Sequence, residues 1–264
     1  EEDLLRRDLT INAIAEDEMG NIIDPYNGAS DLESRVLRHV SIAFRDDPLR
    51  VLRVARFMSK LNSFGFSIAH ETAELISEIV NSGELDYLTP ERVWLETEKA
   101  LQTDSFDLYF KTLCDFNAIN DIYPDLNGID QVIANSSLTP YKNVSPELKM
   151  ASVFCALDTL TDENLVKHLD EIQNRIKFPN SYKSFTKTAL RTSKILHRST
   201  KNISADDIYE IIQATDAFRN YENFMLIMEF HNLAGDPDLK IKIRMIMDAF
   251  DSCKEIGYDK KSFE

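Results

Sequence analysis

The stretch FRDDPLRVLRVARF, from Phe44 to Phe57, predicts an amphipathic helix that carries a row of charges. Pro48 suits the first turn of a helix, where its missing N–H loses no hydrogen bond, and an acidic pair precedes it. We therefore expect a helix from Asp46 to about Leu61. Charged residues recur at every third position and form a slanted ridge, while apolar residues between them can pack inward. The ridge consists of Asp47, Arg50, Arg53 and Arg56.

The residues alone leave two interpretations of this ridge open. In the first, the ridge is a solvated helix face with an Asp47–Arg50 ion pair that contributes only a few tenths of a kcal/mol. In the second, the carboxylate and the guanidinium read a base. Cytosine and adenine each present an amino donor beside a ring-nitrogen acceptor, whereas uracil and guanine present a carbonyl that opposes the carboxylate. Further arginines suit a triphosphate, because guanidinium matches phosphate oxygens bidentately.

The composition of the whole chain predicts a mainly α-helical globular protein. The 264 residues are 43% hydrophobic and 28% charged, with only seven glycines and eight prolines. These are globular values, and long stretches rich in Leu, Ile, Lys and Glu favour helices. The net charge of -15 argues against non-specific nucleic-acid binding over the whole surface. It is compatible with a local basic site, because exposed charges are screened within about 10 Å.

Cysteine usage and hydropathy predict a cytoplasmic protein without a membrane partner. The three cysteines are odd in number and lack metal-ligand spacing, which suits buried thiols in a reducing compartment. No apolar run approaches the roughly 20 residues that a membrane-spanning helix needs. The sequence leaves the oligomeric state open.

Local patterns predict a short hairpin followed by helices. The segment LTINAIAEDEMGNIID predicts a turn at DEMG and a strand through Ile22 and Ile23, followed by a short helix over GASDLESR and a strand over VLRHV. Residues 127–147 break the periodicity and predict a loop or domain joint. Helices are expected at 70–83, 89–101, 104–119, 148–160, 164–176, 182–197, 205–214, 221–233 and 238–256.

Taken together, these motifs resemble the bacterial CCA-adding enzymes, the tRNA nucleotidyltransferases of class II. The likeness runs from Glu2 to about Leu126 through EDLLRRDLTINAIAEDEMGNIIDPYNGASDLESRVLRHV, RDDPLRVLRVARF and LTPERVWLETEKAL. The resemblance implies three parts. Residues 1–45 would end an α/β nucleotidyltransferase head, residues 46–126 would form a helical neck with the nucleotide-templating helix, and residues 127–264 would form a helical body and tail that binds tRNA.

The resemblance also implies a protein template for CTP and ATP. The family's Arg-Arg-Asp motif matches Arg6, Arg7 and Asp8, and Asp8 is implied to lie near the ribose. Asp47 and Arg50 are implied to read the base. The implied phosphate contacts are Arg7, Arg53 and Arg56.

Two further motifs of the family have matches in this chain. One is a flexible turn between head and neck, which matches Asp24, Gly28 and Asp31. The other braces the templating helix and matches Thr89, Pro90, Glu91 and Arg92, which we interpret as structural.

Catalysis in this family implies Mg²⁺, held by paired aspartates upstream of the Arg-Arg-Asp motif. The sequence contains no equivalent pair, so we expect no catalytic or metal-binding residue in this chain. Mg²⁺ would be held by a missing head, and the chain alone should not add nucleotides. Some relatives carry a His-Asp phosphohydrolase domain. Here Asp158 has no preceding histidine, and the histidines of the carboxy-terminal half are isolated: His168, His197 and His231. We therefore expect no hydrolase activity.

The carboxy-terminal half carries a basic series at three- and four-residue spacing on one predicted helix. A solvated face and a contact surface for tRNA phosphates explain the series about equally well. Its members are Lys183, Lys187, Arg191, Lys194 and Arg198.

Three alternatives to full CCA addition stay open. A bacterial poly(A) polymerase shares the neck motifs. A partial enzyme would add only CC or only A. A non-catalytic nucleotide- or RNA-binding protein would keep the neck and lack the head.

Overall fold

The computed structural model describes residues 2–124, 126, 128–161, 165–198 and 202–255, without the side chains of 159–161 and 165–168. It is mainly α-helical, as the composition predicts. The chain divides into two compact units. The first comprises Glu1–Ser136 and Glu171–Phe178, and the second comprises Ser137–Asp170 and Pro179–Glu264.

The first unit begins with short elements around the predicted hairpin. Helix α1 (Glu2–Leu5) precedes the antiparallel strands β1 (Ala15–Glu16) and β2 (Ile22–Ile23). Helix α2 (Gly28–Ser34) follows, and strand β3 (Val36–Leu37) comes next. The hairpin, the short helix and the third strand confirm the predictions for this region.

Helix α3 (Leu49–Leu61) is the predicted ridge helix, and it begins three residues later than expected. Residues Ile42–Asp46 form a 3-10 helix instead, and Asp47 is extended, with φ -138° and ψ 99°. The inward face of α3 is fully buried at Leu52, Val54 and Ala55. This face packs against two later helices of the unit, which fixes where the charged ridge lies.

The remaining elements of the first unit include one strand and two helices that the sequence did not predict. Strand β4 (Ser67–Ile68) pairs in parallel with β3. Helix α7 (Ile119–Ile122) follows the predicted helix at 104–119, and α8 (Ile129–Ala134) lies in the expected loop. Two-residue strands and six-residue helices are too short to show a period. The elements are β4 (Ser67–Ile68), α4 (His70–Asn81), α5 (Pro90–Leu101), α6 (Phe106–Asp115), α7 (Ile119–Ile122) and α8 (Ile129–Ala134).

The second unit is built from helices near the predicted positions. Helix α11 packs against α9, α12 and α13, and aromatic pairs such as Phe224–Phe250, with centroids 4.7 Å apart, fill the core. The end of α10, from Glu171, groups with the first unit. The helices are α9 (Pro146–Thr161), α10 (Leu165–Ile176), α11 (Asn180–His197), α12 (Ala205–Ala214), α13 (Tyr221–Leu233) and α14 (Pro237–Glu255). Of the helices in the described residues, none combines the length and the apolar character needed to cross a membrane.

Candidate nucleotide-binding site

A cleft of about 300 Å³ in the first unit gathers five of the six residues predicted to bind nucleotides. Its walls come from the Arg-Arg-Asp segment, from the start of α3 and from the start of α5. The predicted residues at its surface are Arg7, Asp8, Asp47, Arg50 and Arg53, and the others are Arg6, Leu49 and Arg92. The fold therefore brings together motifs that lie more than 40 residues apart in the chain.

Asp8 is the buried anchor of the cleft, with only 5% of its surface exposed. Its Oδ1 accepts hydrogen bonds from the backbone N–H of Leu9 and from Asn12, and its Oδ2 accepts a 2.7 Å bond from Nε of Arg53. Burial alone would raise the pKa of Asp8, but the bond from Asn12 and the charge of Arg53 outweigh it, so the pKa lies below its usual value. Asp8 thus holds the Arg53 guanidinium at the cleft.

Asp47 is partnered by Arg92 rather than by Arg50, so the intrahelical ion pair of the first interpretation is not formed. Nη2 of Arg92 donates to both carboxylate oxygens of Asp47, at 3.0 and 2.7 Å. The backbone N–H of Leu49 donates to Oδ1 at 3.2 Å. The reason is that Asp47 is extended and precedes α3, so its side chain does not join the helical ridge.

Arg50 is held by backbone carbonyls from two other segments. Its Nη1 donates to the carbonyl of Ala43 and its Nη2 to the carbonyl of Arg6, both at 2.6 Å. The guanidinium also lies 5.9 Å from the centroid of the Phe44 ring. A guanidinium has five N–H donors, so these two bonds fix its position and leave donors for a ligand.

Arg56 lies outside the cleft. Its side chain is 11% exposed, donates to Glu96 at 2.5 Å and stacks over the ring of Phe57 at 4.3 Å. It borders a neighbouring cleft that also contains Lys60 and Lys99. The phosphate contact that the resemblance implies for Arg56 stays a prediction.

Glu96 is a residue of the network that sequence reasoning missed. It is 1% exposed and binds Arg56, Lys99 at 3.2 Å and, more distantly, Arg53 at 3.8 Å. A signal was present in the sequence. Glu96 stands on the buried face of α5 among apolar residues, and a charge on such a face requires partners.

The turn that the resemblance describes as flexible is extensively hydrogen-bonded here. Asp24 accepts bonds from the backbone N–H groups of Gly28 and Ala29, at 2.7 and 2.9 Å. Asp31 binds Thr10 and Arg38. A Cβ at Gly28 would lie 2.1 Å from the carbonyl oxygen of Thr10, so only glycine fits. The flexibility of this turn stays a prediction.

The predicted basic series lies on α11 in the second unit, and three of its five members are bound to carboxylates. Lys183 pairs with Asp170 at 2.8 Å, and Lys194 pairs with the buried Asp158 at 3.3 Å. Arg198 pairs with Glu210 at 2.6 Å. A cleft of about 490 Å³ lies between α11 and α12, and its basic residues are Arg191, Lys194 and Arg198. Lys187 lies on the same helix.

The histidines that the structure describes in the second unit have structural partners. His231 is buried, and its Nε2 lies 2.7 Å from the hydroxyl of Thr192. Burial, and to a lesser extent the charge of His197, lowers the pKa of His231 to about 3. The side chain of His168 lies outside the described residues. Within the described part of the chain, no three His, Cys, Asp or Glu side chains cluster as a metal site.

Comparison with known proteins identifies relatives of this chain. Residues 1–38 match the family described as "Poly A polymerase head domain", and residues 65–129 match the family described as "Probable RNA and SrmB- binding site of polymerase A". The CCA-adding enzyme of Actinobacillus succinogenes is 36% identical over 249 residues, covering 86% of this chain and 62% of that protein. This chain is similar to the bacterial CCA-adding enzymes over most of its length. It spans 58–62% of the length of the curated relatives it matches.

Solved CCA-adding enzymes share the fold. The Bacillus stearothermophilus CCA-adding enzyme in complex with CTP superposes with a TM-score of 0.69 at 25% identity, covering 94% of this chain and 59% of that one. The Thermotoga maritima CCA-adding enzyme complexed with tRNA-CCA superposes with a TM-score of 0.59 at 21% identity, with the same coverage. These superpositions confirm the predicted mainly helical fold that follows a small α/β segment.

Proposed function

We propose that this chain supplies the nucleotide-selecting and tRNA-binding parts of a tRNA nucleotidyltransferase that adds or repairs the 3′-terminal CCA of tRNA with CTP and ATP. The observation that carries the proposal is the cleft, which gathers Asp47, Arg50 and Arg53 with the Arg-Arg-Asp segment. The names of the relatives support the same reaction.

In this proposal the cleft reads the base through complementary hydrogen bonds. The carboxylate of Asp47 accepts a bond from the exocyclic amino group of cytosine or adenine, and Arg50 donates to the adjacent ring nitrogen. Uracil and guanine place a carbonyl oxygen against the carboxylate, which is repulsive. Arg50 is already fixed by two carbonyls, so its donors need little reorganisation when a nucleotide binds.

The phosphates are assigned to the arginines of the same cleft. Arg53 is fixed by Asp8, while Arg7 is held more loosely by Asp3 at 3.1 Å and is half exposed. A guanidinium can bind two phosphate oxygens at once. We assign Asp8 to the neighbourhood of the ribose because it lines the cleft beside Arg53. Arg56, which borders the neighbouring cleft, is assigned to the outer phosphates.

Mg²⁺ would neutralise the phosphate charge during nucleotide transfer. The residues that the structure describes do not fit this ion, since they contain no cluster of metal-ligating side chains. We propose that Mg²⁺ is held by a part of the protein outside this chain. We also place the protein in the cytoplasm, which is supported by the lack of disulfide bonds at Cys114, Cys155 and Cys253.

The tRNA is assigned to the basic face of α11. Phosphate contacts need only a few clustered cations, even on an acidic protein. The cleft beside Arg191 and Arg198 is large enough to receive part of a nucleic-acid backbone. Because Lys183, Lys194 and Arg198 already bind carboxylates, the tRNA must compete with these acids.

The experiment that tests the proposal is a product assay with the full-length protein that contains this chain. A tRNA that lacks its terminal CCA should receive two C residues and one A when CTP and ATP are both supplied. A poly(A) polymerase, the alternative that the matched family descriptions name, would add A alone. No incorporation at all would favour a non-catalytic nucleotide- or RNA-binding protein.

Base reading is tested in the same assay with Arg50→Ala. Removing the guanidinium should raise misincorporation of U and G. Lys111→Gln, which breaks an exposed ion pair with Asp115 outside the cleft, is the control and should keep normal fidelity. Normal activity with unchanged fidelity in Arg50→Ala would contradict the assignment.

A further inference from the structure

Arg92 reaches the candidate base-reading carboxylate from another helix. It stands in the first turn of α5, where Pro90 begins the helix and the backbone N–H of Arg92 donates to the carbonyl of Thr89 at 3.0 Å. Its side chain lines the cleft and binds both oxygens of Asp47. Arg92 therefore stands on helix α5 and binds Asp47, the residue that the proposed function assigns to base reading.

The hydrogen bonds around Asp47 leave one acceptor position open. Each carboxylate oxygen accepts about two hydrogen bonds. Oδ1 accepts one from the N–H of Leu49 and one from Arg92, which satisfies it. Oδ2 accepts only the 2.7 Å bond from Arg92. The open position on Oδ2 is where an exocyclic amino group can donate.

The same bonds keep Asp47 from pairing with Arg50. Both residues line the same cleft, where an unpaired carboxylate and a guanidinium attract each other. In the structure Asp47 accepts hydrogen bonds from Arg92, and Arg50 donates hydrogen bonds to two backbone carbonyls. Without Arg92, the carboxylate would be free to turn toward Arg50, and the acceptor and the donor needed by a base would satisfy each other.

We propose that Arg92 is a specificity-determining positioning residue, which holds the Asp47 carboxylate apart from Arg50 with one oxygen open to the amino group of cytosine or adenine. This inference rests on the proposed function. It assigns to Arg92 a role in nucleotide choice beyond bracing the helix. Arg92 acts through Asp47 and needs no contact with the nucleotide.

The test measures, by isothermal titration with the full-length protein that contains this chain, the ratio of CTP affinity to UTP affinity. Arg92→Gln should lower this ratio about tenfold, because the carboxylate loses a charge-assisted partner and its fixed orientation. Arg92→Lys should recover most of the ratio, since a single nitrogen donates to both oxygens in the structure. Lys111→Gln, an exposed cation of the same unit, should leave the ratio at the wild-type value.

Each result has a distinct meaning. If the unchanged protein binds CTP no better than UTP, the proposed function fails and this inference fails with it. If the unchanged protein prefers CTP to UTP and Arg92→Gln keeps the same affinity ratio, only the inference about Arg92 is overturned. A change in absolute affinity or in melting temperature does not alter this conclusion. A ratio that falls equally in Arg92→Gln and Arg92→Lys would also overturn it, because the positioning role requires only the bridging nitrogen.

Discussion

Glu96 accepts a 2.5 Å hydrogen bond from Nε of Arg56, and this buried pair joins α5 to α3. The single carboxylate also binds Lys99 and lies near Arg53, which in turn is anchored by Asp8. A continuous charged row therefore runs from the candidate nucleotide cleft into the interior of the first unit. Contacts with Glu96 of α5 therefore fix the positions of Arg53 and Arg56 on α3.

We predict that Glu96→Gln destabilises the chain by about 3 kcal/mol. The substitution leaves the buried Arg56 guanidinium without a counter-charge, and breaking a buried pair costs several kcal/mol. Urea denaturation followed by circular dichroism measures the change. Glu91→Gln, an exposed glutamate of the same helix, is the matched control and should change stability by less than about 0.5 kcal/mol. Equal effects of the two substitutions would show that the buried pair does not stabilise the fold.

The buried His231 should make stability depend on pH. Burial lowers its pKa to about 3 from the ordinary 6.5, so the unfolded chain takes up a proton at pH values where the folded chain does not. Stability should therefore fall as the pH drops from about 6.5 toward 3, by up to about 1.4 kcal/mol per pH unit.

The comparison of His231→Gln with the unchanged chain isolates this effect. Unfolding free energies are measured at pH 7.5, 6.5, 5.5 and 4.5, and the variant should show the shallower decline. His70→Gln removes an exposed histidine and should retain the slope of the unchanged chain. Parallel declines for His231→Gln and the unchanged chain would mean that His231 is protonated as readily in the folded state as in the unfolded state.

The basic face of α11 should give tRNA binding a steep salt dependence. Each neutralised phosphate contributes nearly one unit to the slope of log affinity against log salt. Replacing both Lys187 and Arg191 with Ala should reduce the slope by roughly 1.5 to 2, as measured by filter binding across a salt series. Lys111→Ala in the first unit serves as the control. If the double variant and the control give the same slope, α11 is a solvated face.

Periodicity and capping signals predicted most of the fold. Thr89 and Pro90 marked the start of α5, and the predicted limits of α12 and α13 match the structure. Strand β4 and helices α7 and α8 were missed because elements of two to six residues have no measurable period. Their existence depends on tertiary pairing, as β4 requires β3.

The sequence predicted five of the residues that line the cleft, but it did not predict their partners. Motif matching brought Asp8, Asp47 and Arg50 to one site, and the cleft contains all three. Spacing suggested that Asp47 would pair with Arg50, because that inference assumed a helical backbone at Asp47. The backbone is extended there, and the partner comes from α5, 45 residues away. Distances between helices are set by core packing, which sequence spacing does not encode.

We propose above that Asp47 accepts a hydrogen bond from the amino group of the base. The most direct measurement compares the affinity of the chain for CTP with its affinity for the triphosphate of 2-pyrimidinone riboside, which is cytidine without the 4-amino group. The comparison is made for the unchanged chain and for Asp47→Ala, which completes a double-mutant cycle. We predict that loss of the amino group weakens binding about tenfold in the unchanged chain and less than about twofold in Asp47→Ala. An equal loss in both proteins would contradict the claim, because the amino group would then be read by some other residue or not at all.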